Sequence, residues 1–174
     1  MFSGTYTALV TPFRDGQVDA KALWELVERQ VSGGVEGICP VGTTGESPTV
    51  SVEEHIGIVD ICVRAAGRRI KVIPGTGANS TQEAIHLTEA AEKAGADGSL
   101  QVAPYYNKPS QEGLYQHFKA IASATSLPIM LYSIPGRCGV EIGIETVARL
   151  AAACKNIVSI KEAGGSADRV SQLR

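Results

Sequence analysis

Aromatic residues are scarce in this 174-residue chain, at 5%, and neither sign of charge is in excess: 16 lysines and arginines face 18 aspartates and glutamates. With a net charge of -2 and its basic residues scattered, the chain has no positive face for a phosphate backbone, so nucleic acid is not an expected partner. Long apolar runs are also lacking. The longest are of strand length, far below the roughly 20 residues that cross a bilayer, and no charged-then-apolar leader is visible. A cytoplasmic protein with no membrane partner is the expectation. Cysteine is sparse, and Cys39, Cys62, Cys138 and Cys154 form no C-x-x-C pair. They read as reduced thiols, mostly in the core, rather than as disulfides or metal ligands.

What is present is a 44% share of hydrophobic residues. That suits one globular domain with a sizeable core, since a chain of this size buries roughly 70% of the surface it exposes when unfolded. Six apolar runs recur, over 5–11, 37–42, 71–76, 98–104, 128–133 and 158–163, starting at intervals of 27 to 34 residues. Segments of helical period lie between them, over 20–31, 52–66, 81–94, 111–124, 144–153 and from Ala167 onward. Such alternation is that of parallel strands joined by helical crossovers. Asp19, Ser51 with Glu54, and Ser110 read as helix N-caps, whereas Gly33-Gly34, Gly67 and Gly95 read as stops. An eight-unit barrel of about 250 residues spends about 31 on each unit, so this chain holds between five and six. An open doubly wound sheet and an incomplete (β/α)8 barrel are both allowed.

Either architecture puts its chemistry at the C-terminal ends of the strands, so the residues after each apolar run are the candidates. Gly75-x-Gly77-x-x-Ser80 is a near miss for a dinucleotide fingerprint and reads better as a tight turn. Gly42-Thr43-Thr44-Gly45 lacks the ending of a phosphate-binding P-loop, yet its hydroxyls and open backbone N-H groups suit a carboxylate or phosphate as well as a plain turn. Of seven lysines only Lys161 closes an apolar strand, where desolvation disfavours the ammonium and frees the lone pair for imine formation. A solvated strand-end lysine is the alternative. Tyr132 ends the preceding strand and can pass protons through other hydroxyls, such as those of Thr43 and Tyr106. Arg137 follows a Pro-Gly turn, and its rigid fork suits a substrate carboxylate. His55, His86 and His117 fall on helices without metal-ligand spacing, so no metal is expected, and no Ser or Cys triad has its elbow or paired histidine.

Four stretches together carry a resemblance: Gly42-Thr43-Thr44-Gly45-Glu46-Ser47, Pro104-Tyr105-Tyr106-Asn107-Lys108-Pro109, Tyr132-x-Ile134-Pro135-Gly136-Arg137 and Ile160-Lys161-Glu162-Ala163. In this order and spacing they resemble the 4-hydroxy-tetrahydrodipicolinate synthase (dihydrodipicolinate synthase) family, within the pyruvate-dependent Schiff-base aldolases and lyases. The resemblance runs from Met1 to Arg174. It implies a (β/α)8 barrel, of which this chain would hold the first six strand-helix units as one catalytic domain. The implied reaction condenses pyruvate with aspartate semialdehyde, an entry step of lysine and diaminopimelate synthesis. Lys161 would form the pyruvate imine, with no metal or organic cofactor. Tyr132, Thr43 and Tyr106 would relay protons, with Tyr106 supplied by the neighbouring subunit of a dimer. Thr44 would hold the pyruvate carboxylate, and Arg137 the semialdehyde carboxylate. Ser47, His55, Asn79, Glu83 and Tyr105 match positions that bind lysine as a feedback inhibitor at a dimer contact. Val52 stands where the resemblance often has histidine. The protein would be a homo-oligomer, dimer or tetramer.

The resemblance also implies two further units after the sixth strand. A chain ending as this one does is expected to be a fragment or a short form with two open sheet edges. Two other readings stand beside the synthase: a related pyruvate aldolase acting on a sugar acid, and a catalytically silent homologue that serves as an oligomer or binding protein.

Overall fold

A computed structural model of the chain describes residues 2–173. Six parallel strands, each followed by a helix, make up most of it. They are β1 (Tyr6–Ala8), β4 (Gly37–Cys39), β5 (Lys71–Val72), β6 (Ser99–Val102), β7 (Ile129–Ser133) and β8 (Ile157–Glu162). The principal helices are α1 (Ala20–Ser32), α2 (Val52–Ala66), α3 (Thr81–Ala94), α4 (Gln111–Ser123), α6 (Ile144–Ala153) and α7 (Ala167–Gln172). Strands β1, β4 and β5 pair in that order, as do β6, β7 and β8, and a parallel bridge between Gly75 and Leu100 joins the two sets. Among the described residues, β1 and β8 each pair on one side only.

Local chemistry accounts for the boundaries. The Asp19 and Ser110 side chains accept the N-H groups of Ala22 and Gly113 at their helix starts, and Ser51 with Glu54 closes a full capping box. Gly67 and Gly95 end α2 and α3 in the left-handed conformation that a side chain would resist. The strands are shorter than the apolar runs, because Pro40 and Pro74 carry no N-H for the ladder. Hydrogen bonds nevertheless continue past both, from Gly75 N-H to Pro40 O and from Leu100 N-H to Pro74 O.

Three short elements do not show as apolar runs or as segments of helical period. Strands β2 (Phe13–Arg14) and β3 (Gln17–Val18) form a small antiparallel hairpin over Asp15-Gly16, both with positive φ, and the turn after β7 winds into a short helix, α5 (Pro135–Cys138).

Two apolar clusters lie between strands and helices, one under α1 and α2 around Ile38, Ile58 and Val72, the other under α4 and α6 around Phe118, Leu131 and Leu150. A third, of Cys39, Ile73, Leu100 and Tyr132, fills the concave interior of the curved sheet. All four cysteines are buried and free.

Candidate active site

The interior cluster opens at the C-terminal ends of the strands into a hollow of about 50 Å³, whose walls include Cys39, Thr43, Thr44, Ser47, Tyr132 and Lys161. A much larger hollow of about 900 Å³ lies at the opposite end of the strands, between Glu36, Arg68, Lys71 and Asp97. Its size reflects an open groove among solvated charges. The small hollow is the chemical candidate because a lysine amine, a phenol and two threonines converge there.

Parallel pairing puts Tyr132 opposite Lys161 in register, and Val102 opposite Tyr132, so these side chains form one row across the interior. Lys161 is half-buried, with Nζ 4.2 Å from the centroid of the Tyr132 ring. Burial pushes the Tyr132 phenol above its ordinary pKa, and the positive charge of Arg137 works against that rise. Burial likewise raises the Cys39 thiol, opposed by the charge of Lys161.

The turn that supplies Thr43 and Thr44 is tightly folded. Val41, only 1% exposed, has φ +46, a left-handed conformation that a β-branched residue resists. It fits because Gly45 and Gly75 have no side chains: a Cβ at Gly45 would meet the backbone of Val41 at 2.8 Å, and one at Gly75 would meet Gly42 Cα at 2.8 Å. Gly77 packs in the same way on the backbone of Val102. These glycines therefore serve close backbone approach, the tight-turn reading of that stretch.

Not every candidate reaches the hollow. Arg137 is exposed at the end of α5 and acts on Tyr132 through its charge rather than by lining the wall. Tyr106 is 89% exposed at φ +71 and is not among the residues that line the hollow. Cys39, by contrast, lines the wall but belongs to none of the sequence motifs. Its position at the end of a strand, just before the Gly-Thr-Thr turn, was the available signal.

Four of the five residues matched to lysine binding, Ser47, His55, Glu83 and Tyr105, line a second hollow of about 30 Å³ beside the first, together with Val52. The fifth, Asn79, donates from its amide to Tyr105 O at 3.2 Å. Tyr105 is raised in pKa by burial and then by the nearby Glu83 carboxylate. His55 is buried and its Nε2 lies 2.9 Å from Gly75 O, which assigns the ring proton to that nitrogen. Gly75 lines the first hollow, and Ser47 and Gly77 line both. Among the described residues no three His, Cys, Asp or Glu side chains gather as a metal ion would require. No helix among them is long and apolar enough to cross a membrane.

Known proteins resemble this chain along its whole length. A 4-hydroxy-tetrahydrodipicolinate synthase of Chelativorans sp. (strain BNC1) is 58% identical over 175 residues, covering 100% of this chain and 60% of that protein. The solved 4-hydroxy-tetrahydrodipicolinate synthase of Methylacidiphilum fumariolicum SolV superposes with a TM-score of 0.98 at 62% identity, covering 99% of this chain and 58% of that one. The solved enzyme of Cyanidioschyzon merolae with lysine bound gives a TM-score of 0.94 at 45% identity, covering 97% and 58%. The chain thus spans about three fifths of the length of such relatives, 59 to 60% of the curated ones. Its strand-helix units are those of their TIM-barrel fold. With the model of the dihydrodipicolinate synthetase family matching residues 1–174 throughout, the chain belongs to that family.

Proposed function

We propose that this chain carries the imine-forming half of a pyruvate-condensing site, and that the protein it represents joins pyruvate to aspartate semialdehyde as a lyase of lysine and diaminopimelate synthesis. The observation that carries the reading is the register pairing of Tyr132 with Lys161 at the mouth of a hollow that Thr43 and Thr44 also line.

In this reading the Lys161 amine attacks the ketone carbon of pyruvate, and the carbinolamine loses water to give an iminium. Tyr132 passes protons to and from the departing oxygen, relayed by Thr43 and by Tyr106 of a neighbouring subunit. The iminium withdraws electrons from the adjacent methyl carbon, which loses a proton and becomes an enamine nucleophile. That carbon attacks the aldehyde of the second substrate. The amine of the second substrate then adds to the iminium carbon and releases Lys161. Thr44 and the backbone N-H groups of its turn hold the pyruvate carboxylate, and Arg137 holds that of the semialdehyde. In this reading side chains carry every proton transfer and Lys161 the covalent step, so no metal or organic cofactor enters.

Arg137 favours the semialdehyde over a sugar acid as the second substrate, since it puts a permanent positive charge near Tyr132. The hollow around Ser47, His55, Glu83 and Tyr105 is read as a lysine inhibitor site, supported by the lysine-bound Cyanidioschyzon structure. The exposure of Tyr106 supports its service to a second copy in a cytoplasmic homo-oligomer.

The test is reductive trapping. Borohydride added with pyruvate should fix a three-carbon adduct on Lys161 and on none of the other six lysines. Peptide mapping that found the adduct elsewhere, or found none on folded protein, would remove Lys161 from the mechanism.

A further inference from the structure

Arg169, on α7, is the one permanently charged side chain among the described residues that is buried, at 7% exposure. Its guanidinium reaches three partners. Nε donates to Glu162 Oε2 at 2.7 Å, Nη1 donates to Glu141 Oε2 at 3.2 Å, and Nη2 donates to the carbonyl of Ile142. Glu162 directly follows Lys161, its side chain is as buried as that of Arg169, and its other oxygen accepts Gly164 N-H at 2.6 Å. Glu141 and Ile142 belong to the segment that leaves α5, four and five residues after Arg137.

The same segment is gripped from its other side. Gln111, at the start of α4, donates to Glu141 O at 2.8 Å and accepts Gly143 N-H at 2.8 Å. Ile142 N-H donates to Ser133 Oγ at 3.3 Å, and Ala163 N-H to Ser133 O at 2.9 Å. Residues 139–143 are therefore suspended between the end of β7, the first turn of α4 and one guanidinium. A planar fork that engages two carboxylates and a carbonyl at once sets orientation as well as distance, which a lysine cannot do. Fold stability alone does not ask for a buried ion pair, because apolar residues of similar volume commonly serve as well or better.

We propose that Arg169 is a positioning residue for Arg137. Through Glu141 and Ile142 it anchors the segment that directly follows the short helix of Arg137, and through Glu162 it ties that segment to the strand end that carries Lys161. The imine carbon and the clamp for the second carboxylate are thereby held at one separation. The inference rests on the reading of Arg137 as the semialdehyde clamp.

Two variants test it. Removal of the guanidinium would strand the buried Glu162 carboxylate and risks unfolding, so Glu141→Ala removes only the half-exposed arm and leaves the pair with Glu162, while Arg169→Lys keeps the charge and loses the fork. Amide hydrogen exchange at Cys138, Gly139 and Ile142 should quicken about tenfold or more in both, with the amides of α2 unchanged. The KM for aspartate semialdehyde should rise about fivefold or more while kcat and pyruvate trapping at Lys161 stay within roughly twofold. Unchanged exchange over 137–143 overturns the proposal, as does equal quickening in α2 or faster exchange with an unaltered semialdehyde KM. A parent chain that traps no pyruvate counts against the catalytic reading instead, and the exchange result then decides the positioning one.

Discussion

Tyr132 and Lys161 face each other in register on adjacent parallel strands, the lysine Nζ lying 4.2 Å from the centre of the phenol ring. The lysine head lies over the face of the ring, so the hydroxyl at the ring's edge remains free for proton transfer. Packing and chemistry can therefore be separated at this one residue.

Tyr132→Phe keeps the ring and loses the hydroxyl. The protein should fold as before and still trap pyruvate, with turnover lower by about a hundredfold to ten-thousandfold, the usual contribution of a positioned acid-base group. Steady-state kinetics beside a trapping time course will check it, and turnover within tenfold of the parent would take Tyr132 out of the relay.

Arg137→Ala should weaken use of aspartate semialdehyde and spare imine formation. Loss of a charge-assisted carboxylate contact costs about 1.5 to 3 kcal/mol, a tenfold to hundredfold change or slightly more in kcat/KM for that substrate. Equal loss of the pyruvate adduct would show that the residue serves the first substrate or the fold.

Two glycine substitutions should move stability in opposite directions. Gly75→Ala drives a methyl into Gly42 Cα at 2.8 Å and Val41 O at 2.9 Å. Backbone cannot yield as a side-chain tip can, so a loss of about 1 to 3 kcal/mol is expected, with weaker pyruvate binding as the threonine turn shifts. Gly57→Ala, inside α2 with nothing within 4 Å of the added carbon, should gain about 0.5 to 1 kcal/mol. Urea midpoints of the two variants decide it.

Acid should weaken the fold in a window set by two histidines. Burial pushes His55 and His117 down to about 4, and each touches a neutral partner, Gly75 O for one and Thr81 Oγ1 for the other. An imidazole whose folded pKa lies below its unfolded value of about 6.5 binds fewer protons folded than unfolded. Its contribution is complete above about pH 6.5, declines as pH falls, and is spent near pH 4, for a loss of about 3 kcal/mol per ring. Carboxylates held below their ordinary range by hydrogen bonds, such as Glu92 with Ser126 and Thr125, add a loss in the same direction at lower pH. His117→Gln should remove about half of the histidine decline between pH 6.5 and 4, read from denaturation midpoints, and an unchanged decline would contradict the assignment.

Much of this was written in the chain. Strand-helix alternation follows from apolar runs of strand length punctuated by glycine and by caps such as Asp19 and Ser51, because period and capping are local properties. The candidate nucleophile was legible for a similar reason: Lys161 ends the last apolar run, and the strand-end rule singles it out. Neither property depends on what lies across the fold.

Distance across the fold was decided only in three dimensions. Whether six units form an open doubly wound sheet or a curved barrel wall rests on how β6 meets Gly75, a contact between segments 25 residues apart. The register of Tyr132 with Lys161, the outward turn of Tyr106, and the exposure of Arg137 depend on strand pairing and on backbone angles that no periodicity encodes. Arg169 is the clearest case. In sequence it is one polar residue of a short helix, indistinguishable from a solvated one. Only the approach of α7 to the end of β8 and to the segment after α5 buries its charge and gives it two carboxylates to join, because burial of an ion is set by what surrounds it and not by what precedes it in the chain.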